Sequence, residues 1–493
     1  MNAQTSQDVE AQPTSRIDQF FRVTERGSTI GAEVRGGLVT FFAMAYIIVL
    51  NPIILGSSPD GTGAFLADGN TAHIATVTAL VAGVMTIIMG MVANFPLGLA
   101  AGMGINSVVA ISIAAIPGMT WADAMGIVVL QGIIILVLVL TGLREAVFRA
   151  IPHELKIAIS VGIGLFIALV GFVNAGFVRI PAGLATPLEL GLDGSLGTWP
   201  IVVFVFGLLL AAVLMVKKVR GGILIAIVAS TVLAIIIQAI AHLGPRYMGP
   251  DGVTVNPDGW ALTVPELSAN WTLPNLDLLG NFSLLGSFRN IGVVAVLLLA
   301  FTLMLADFFD TMGTMVAVGG EAGLLDDNGD PINTRSILIV DSCAAIAGGA
   351  SSVSSNTSFV ESAAGVGDGA RTGLASVTTG LAFLAAMFVA PIIEMVPNEA
   401  ATPALVVVGF LMLTQVAEID WKDYEVALPA FLTIVLMPFA YSITAGIGAG
   451  VISYVLIKVV VGKARTIHPL LYGAAVLFVI YFLSGPLRDA LGF

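Results

Sequence analysis

Apolar runs long enough to cross a bilayer recur along the chain at about 31–55, 74–93, 122–142, 155–175, 200–217, 221–243, 289–318, 334–350, 372–393, 402–417, 425–442 and 444–461. Each approaches the roughly 20 residues that a membrane helix needs. Two more segments, 96–116 and 351–367, are apolar but interrupted by glycine, serine and threonine. Counting these gives fourteen spans. A final stretch, 469–484, is either a fifteenth crossing or a helix lying at the interface. The pattern predicts an all-α polytopic membrane protein.

Composition agrees without any motif. Of 493 residues, 57% are hydrophobic and only 11% charged, against about 25% charged in soluble domains. The first 30 residues are polar and lack an apolar signal core, so the first span is expected to direct insertion. The net charge of −12 comes mostly from tail and loop acids such as Asp326, Asp327 and Asp330. No basic run of nucleic-acid type is present. A single cysteine and four histidines argue against a disulfide or a Cys/His metal centre, and no cofactor or metal is expected.

Basic residues then orient the spans. With the N-terminus inside and fourteen crossings, Arg16, Arg22, Arg26, Arg35, Arg144, Arg149, Lys156, Lys217, Lys218, Arg220, Arg335, Arg371, Lys422, Lys458, Lys463 and Arg465 fall on the cytoplasmic side. Arg179, Arg246 and Arg289 fall outside, and Arg488 depends on the tail. Omitting either interrupted segment reverses every basic loop after it, so both are expected to cross. The expected layout is a cytoplasmic tail (1–30), a first repeat (31–243), an external loop (244–288) holding Trp260 and Trp271, a second repeat (289–461) and a C-terminal tail (462–493).

The two halves resemble each other. VVLQGIIIL (128–136) aligns with SVTTGLAFL (376–384), matching Gly132 to Gly380. IPHELKIAISVGIGLF (151–166) aligns with VPNEAATPALVVVGFL (396–411), matching Pro152 to Pro397 and Gly162 to Gly409. The offsets stay between 245 and 248. Seven spans per half is odd, so the second half is inverted in the membrane. Inverted repeats with interrupted helices at matching positions mark secondary transporters.

The candidate chemistry lies at the interruptions. NFPLGLAAGMGINSVVAISIAAI (94–116) begins with glycines, each of which costs a helix about 1 kcal/mol relative to alanine. GGASSVSSNTSFVESAAGVGDGAR (348–371) begins with residues suited to an extended strand. Non-helical backbone at membrane depth must be buried in protein or line a cavity. Asn106 and Glu361 stand where the two helices start, either as simple caps or as groups facing such a cavity. Asp307 and Asp310, in LLLAFTLMLADFFDTMGTMVAVGG (297–320), lie about 60° apart on a helix and share a face with Thr314. An acid at the centre of a membrane helix costs roughly 2.5–3.5 kcal/mol. Placing several together predicts an acidic pocket for a ligand rich in N–H donors, a cation or a proton. Burial of a carboxylic acid favours its neutral form in general, which is the physical basis for proton coupling.

FFDTMGT (308–314), SSNTSFVESAAGVGDGARTG (354–373), GMGINS (102–107) and GSTIGAEVRGGLVTFFAMAYIIVLNPIIL (27–55) resemble the AzgA-like purine permeases. These belong to the nucleobase–ascorbate (nucleobase-cation symporter) superfamily, and the likeness runs from about residue 20 to about 484. It implies a seven-plus-seven inverted repeat of the uracil-permease fold. Spans 1–4 and 8–11 form a substrate-carrying core, and spans 5–7 and 12–14 form a gate that mediates dimers. Short strands that begin spans 3 and 10 pair antiparallel. It also implies proton symport of adenine, guanine or hypoxanthine across the cell inner membrane by an elevator-like motion. By motif position Asp310, Glu361, Asn106 and Phe359 take substrate-binding places, with Thr314, Thr357 and Ser362 beside them. Glu361, Asp310 and Asp307 are the proton-coupling candidates. Thr314 stands where uracil carriers have histidine. Sodium in place of the proton remains a second reading.

Other readings weigh less. Gln131 is expected to bond between helices. His153 and His468 are read as interfacial, Cys343 as packing, and Asn174 as either a cap or a residue facing the path. A xanthine or uracil carrier is the nearest alternative, and an anion carrier on the related sulfate-carrier fold is disfavoured by Glu361. An intramembrane enzyme would need a Ser/His or His/Glu arrangement that the sequence lacks.

Overall fold

The computed structural model describes residues 15–142, 152–179, 188–191, 194–219, 221–246, 256, 258–261, 263–266, 274–326, 330–388 and 395–483. Arg144, Arg149, Arg220, Arg488 and Trp271 lie outside the described residues. Within them the chain is a helical bundle whose elements coincide with the expected spans. In chain order these are Ile30–Gly56, Thr71–Ala93, the interrupted Leu99–Ala114, Trp121–Thr141, His153–Asn174, Trp199–Val216, Gly222–Ala241, Val293–Ala322, Thr334–Ala350, the interrupted Asn356–Gly367, Gly373–Ala386, Asn398–Leu413, Tyr424–Phe439 and Ile443–Val460. We number them spans 1–14.

Among the described residues four short strands accompany the helices: β1 (Leu99–Ala101), β2 (Val178–Arg179), β3 (Glu189–Leu190) and β4 (Asn356–Ser358). β2 and β3 pair in a small loop ladder. β1 and β4 open the two interrupted spans and pair antiparallel, Leu99 opposite Ser358, Ala100 opposite Thr357 and Ala101 opposite Asn356. All six of these residues are buried. Their ladder gives extended backbone at the centre of the bundle the hydrogen bonds that lipid cannot supply.

The inverted repeat is visible in reciprocal contacts. A Cβ on Gly132 would lie 2.9 Å from the Ile346 amide nitrogen, and one on Gly380 would lie 3.0 Å from that of Ile87. Likewise Gly349 closes on Val129 N at 2.9 Å as Gly90 closes on Val377 N at 3.1 Å. Span 4 therefore packs on span 9 as span 11 packs on span 2. Pro152 and Pro397 are both N-cap residues, of spans 5 and 12. Across the contact between those two spans Gly164 meets the Gly409 carbonyl, and Gly409 meets that of Gly164. The reciprocal pair is thus Gly164 with Gly409, two residues from the Gly162–Gly409 match in the sequence, and its offset equals that of the prolines. Gly162 packs instead on Met437 and Ile434 of span 13.

Span 1 is not one regular helix. It breaks between Met44 and Ile47, where the amides of Ile48 and Val49 bond three residues back. Pro52 lies four residues beyond Ile48 inside the second part. Its missing N–H and its ring spoil the helix one turn earlier. The break turns Tyr46 and, one turn on, Asn51 into the interior, both fully buried. At the start of the same span, fully buried Glu33 accepts from the amides of Arg371 (2.8 Å) and Thr372 (3.2 Å), tying span 1 to the free N–H groups that open span 11.

The stretch 469–484 forms a helix, Pro469–Phe482. The Tyr472 hydroxyl donates to the Ala464 carbonyl at 2.9 Å, just past the end of span 14. Phe478 and Phe482 bed against Gly448 near the beginning of that span. The helix therefore doubles back antiparallel along span 14 for about 20 Å, and Phe478 also meets Phe301 of span 8. Leu471, Ala474, Ala475 and Phe478 are buried, while Leu470, Val476 and Ile480 point outward.

Candidate functional site

The carboxylates of interest gather where β1 and β4 meet the middle of span 8. Asp307 is fully buried and accepts from Ser355 Oγ at 2.7 Å and Gln131 Nε2 at 3.0 Å, while Gln131 also donates to Ser355 Oγ at 3.0 Å. Gln131 thus makes the interhelical bonds expected of it. One turn on, Thr311 Oγ1 lies 2.8 Å from Thr357 Oγ1 and donates to Asp341 Oδ2 at 2.8 Å. Asp341 accepts a second hydroxyl, Ser358 Oγ, at 2.9 Å. Ser355, Thr357 and Ser358 are therefore tied to spans 8 and 9 through Asp307, Thr311 and Asp341. In each case a buried carboxylate receives at least two donors, as burial of an ion or its neutral acid requires.

Asp310 differs from Asp307. It is exposed at its surface, yet it stands within electrostatic reach of Asp307 and Glu361, and fully buried Tyr46 feels both Asp310 and Glu361. Those neighbours set Asp310 on the side of span 8 that looks toward Tyr46 and Glu361. Glu361 is half-buried beside Val360, which is 50% exposed. Glu361 occupies the N-cap position of the short helix Ser362–Gly367 but makes no capping bond; one carboxylate oxygen instead accepts from the Tyr46 hydroxyl. Of the two sequence readings of Glu361, the simple cap is the one the structure does not contain.

Asn106 is fully buried. The helix of its span starts at Met103 with Gly102 as N-cap, so Asn106 is not a cap either. Its Nδ2 donates to Asn51 Oδ1 at 2.6 Å, and Asn51 Nδ2 donates to Thr78 Oγ1 (2.8 Å) and the Val353 carbonyl (3.2 Å). Thr314 is buried one turn beyond Asp310. Phe359 is 5% exposed and belongs to the apolar core. Ser362 Oγ accepts from the Gly98 amide at 2.9 Å and donates to the Phe359 carbonyl at 2.6 Å, so it stitches the front of span 3 to span 10.

The sequence reading missed Tyr46, Asn51 and Asp341. Asp341 carried a usable signal, an acid centred in the apolar run TRSILIVDSCAAIAGGA, the same signal that singled out Asp307. Tyr46 and Asn51 carried none, since their roles follow from the break in span 1. Among the described residues no group of three His, Cys, Asp or Glu side chains is arranged to hold a metal ion.

Comparison with known proteins places this arrangement. The permease family profile matches residues 31–449. The chain is 37% identical to the guanine/hypoxanthine permease PbuG of Bacillus subtilis, covering 94% of this chain and 99% of that one. It is 34% identical to the adenine permease AdeP of Escherichia coli, covering 94% and 95%. The solved transmembrane domain of the cyanobacterial bicarbonate transporter BicA shares the fold with a TM-score of 0.55 at 16% identity, over 84% of this chain and 97% of that one. Murine Slc26a9, an anion transporter in the inward-facing state, does so at 0.59 and 12%, over 92% and 74%. The interrupted spans, the paired strands and the repeat are those of the seven-plus-seven fold. The chain is a multi-pass membrane transporter, not an enzyme, and belongs to the permease family in its AzgA-like branch.

Proposed function

We propose that this permease imports purine nucleobases, adenine, guanine or hypoxanthine, by proton symport. The observation that carries the reading is the electrostatic proximity of Asp310 and Glu361, both within reach of buried Tyr46, beside the paired strands. Carboxylates suit the ring N–H and amino groups of these bases, and a charge-assisted hydrogen bond contributes about 1.5–3 kcal/mol. Relatives named as guanine/hypoxanthine and adenine permeases support the substrate class. Asp310 and Glu361 are the proposed base-contacting acids and proton carriers. Asp307, held by Gln131 and Ser355, positions the strand end or shares the proton. Asn106 takes the far edge of the base, with Thr314, Thr357, Phe359 and Ser362 shaping the wall. Spans 1–4 with 8–11 are the proposed moving core, and spans 5–7 with 12–14 the gate and homodimer surface, in the cell inner membrane with the N-terminus cytoplasmic.

The fold neighbours move anions, but a pocket ringed by acids repels them, so the fold likeness does not transfer their substrates. The test is uptake of radiolabelled hypoxanthine, guanine and adenine by cells lacking their own carriers, across pH and with sodium replaced by potassium. Purine uptake that grows as external pH falls and ignores sodium is expected. Competition by uracil but not by any purine would overturn the substrate class, and a sodium requirement would overturn the proton.

A further inference from the structure

A second cavity, of about 290 Å³, lies at the end of the bundle where span 1 finishes, near the lower limit for small-molecule pockets. Its walls come from the end of span 1 and the loop after it, from span 3 one turn and more beyond Asn106, from the end of span 5, and from the corner between spans 13 and 14. It therefore sits on the line between Asn106 and one surface of the bundle, between the proposed core and the proposed gate.

Its chemistry differs from that around Asp310 and Glu361. No charged side chain lines it. Asn174, Ser58 and Tyr441 line it, and none of the three side chains hydrogen-bonds elsewhere among the described residues. Ile111 and Val170 supply apolar wall. Tyr441 is 38% exposed, and its ring rests edge-on against Phe166 at 5.3 Å. Its backbone is left-handed, with φ 49°, a conformation that a bulky residue adopts only when its surroundings impose it. A fixed aromatic ring, a two-faced amide, free hydroxyls and no charge make a site for a flat, neutral heterocycle with a polar edge.

We infer that this cavity is an outer binding subsite for a neutral purine-type base, with the Tyr441 ring against the base plane and Asn174 on its polar edge. The inference rests on the proposed substrate class and adds a second station to the path, one that reads shape and hydrogen-bond pattern before the acids are met. The test uses purified, detergent-solubilised protein carrying Ser58→Cys with the one native cysteine removed by Cys343→Ser, and follows modification by a methanethiosulfonate reagent. Hypoxanthine or adenine should slow modification about fivefold or more. The slowing should persist when Glu361→Gln disables the central site, and vanish with Asn174→Ala or Tyr441→Ala. Absence of protection, or protection abolished by Glu361→Gln, overturns the outer subsite. Protection by a base in a protein whose wild type takes up no purine would sustain the subsite while sinking the transport reading, so the two failures are separable.

Discussion

Spans 3 and 10 are the same device built twice. Each opens with a buried strand, the strands pair with each other, and each continues as a helix that starts mid-bundle. What they hold differs. Span 3 presents Asn106, a neutral amide engaged with Asn51. Span 10 presents Glu361, an acid engaged with Tyr46 and set beside Asp310. Both partners come from span 1, Tyr46 within its break and Asn51 just beyond it. The duplicated scaffold thus fixes where functional groups stand, while single substitutions decide which half carries charge. The glycine contacts preserved between the halves belong to the scaffold, and Asp307, Asp310, Asp341 and Glu361 all belong to the second half.

The widest expected gap between the two spans is electrostatic. Glu361→Gln should cut purine uptake by roughly 10- to 100-fold at unchanged protein abundance, the worth of one charge-assisted bond, and Asp310→Asn should do the same. Wild-type uptake in both variants would remove them from the mechanism. The scaffold should show the opposite symmetry. Gly132→Leu and Gly380→Leu each force a side chain into backbone, so each should destabilise by about 1–3 kcal/mol, read as similar losses of thermal stability in detergent; a large inequality would deny the repeat its equivalence. Asn106→Ala should weaken uptake only about fivefold, near the worth of a neutral hydrogen bond. Asn51→Ala should do no more, and the double variant should fall short of the product because the two side chains share one bond. Tyr46→Phe should have the smallest effect, a two- to fivefold loss of affinity from a less firmly oriented Glu361, measured as KM with little change in maximal rate.

Much of this was legible before any coordinates. An acid inside an apolar run is expensive enough to stand out, and glycine- or serine-rich interruptions of spanning segments leave few backbone solutions in lipid. That is why Asp307, Asp310, Glu361 and both interrupted spans could be read directly. The matched prolines at 152 and 397 gave the repeat, because a helix start tolerates few residues as well as proline. What failed was finer. Gly162 was matched in place of Gly164 because one small residue among aliphatics has no unique register. Tyr46 and Asn51 were invisible because their direction depends on the disturbance that Pro52 sends one turn back. Glu33 carries no signal in the sequence, and only the fold shows the amides of a distant span resting on it.

The helix after span 14 sets a mechanical condition. It is seated on Gly448 through two aromatic rings, and it also packs along span 8, where Phe478 meets Phe301 at 6.4 Å. Under the proposed motion of spans 1–4 and 8–11 against spans 5–7 and 12–14, a helix that leans on both span 14 and span 8 has to let one of them go, and the Phe301 contact is where that release is to be looked for.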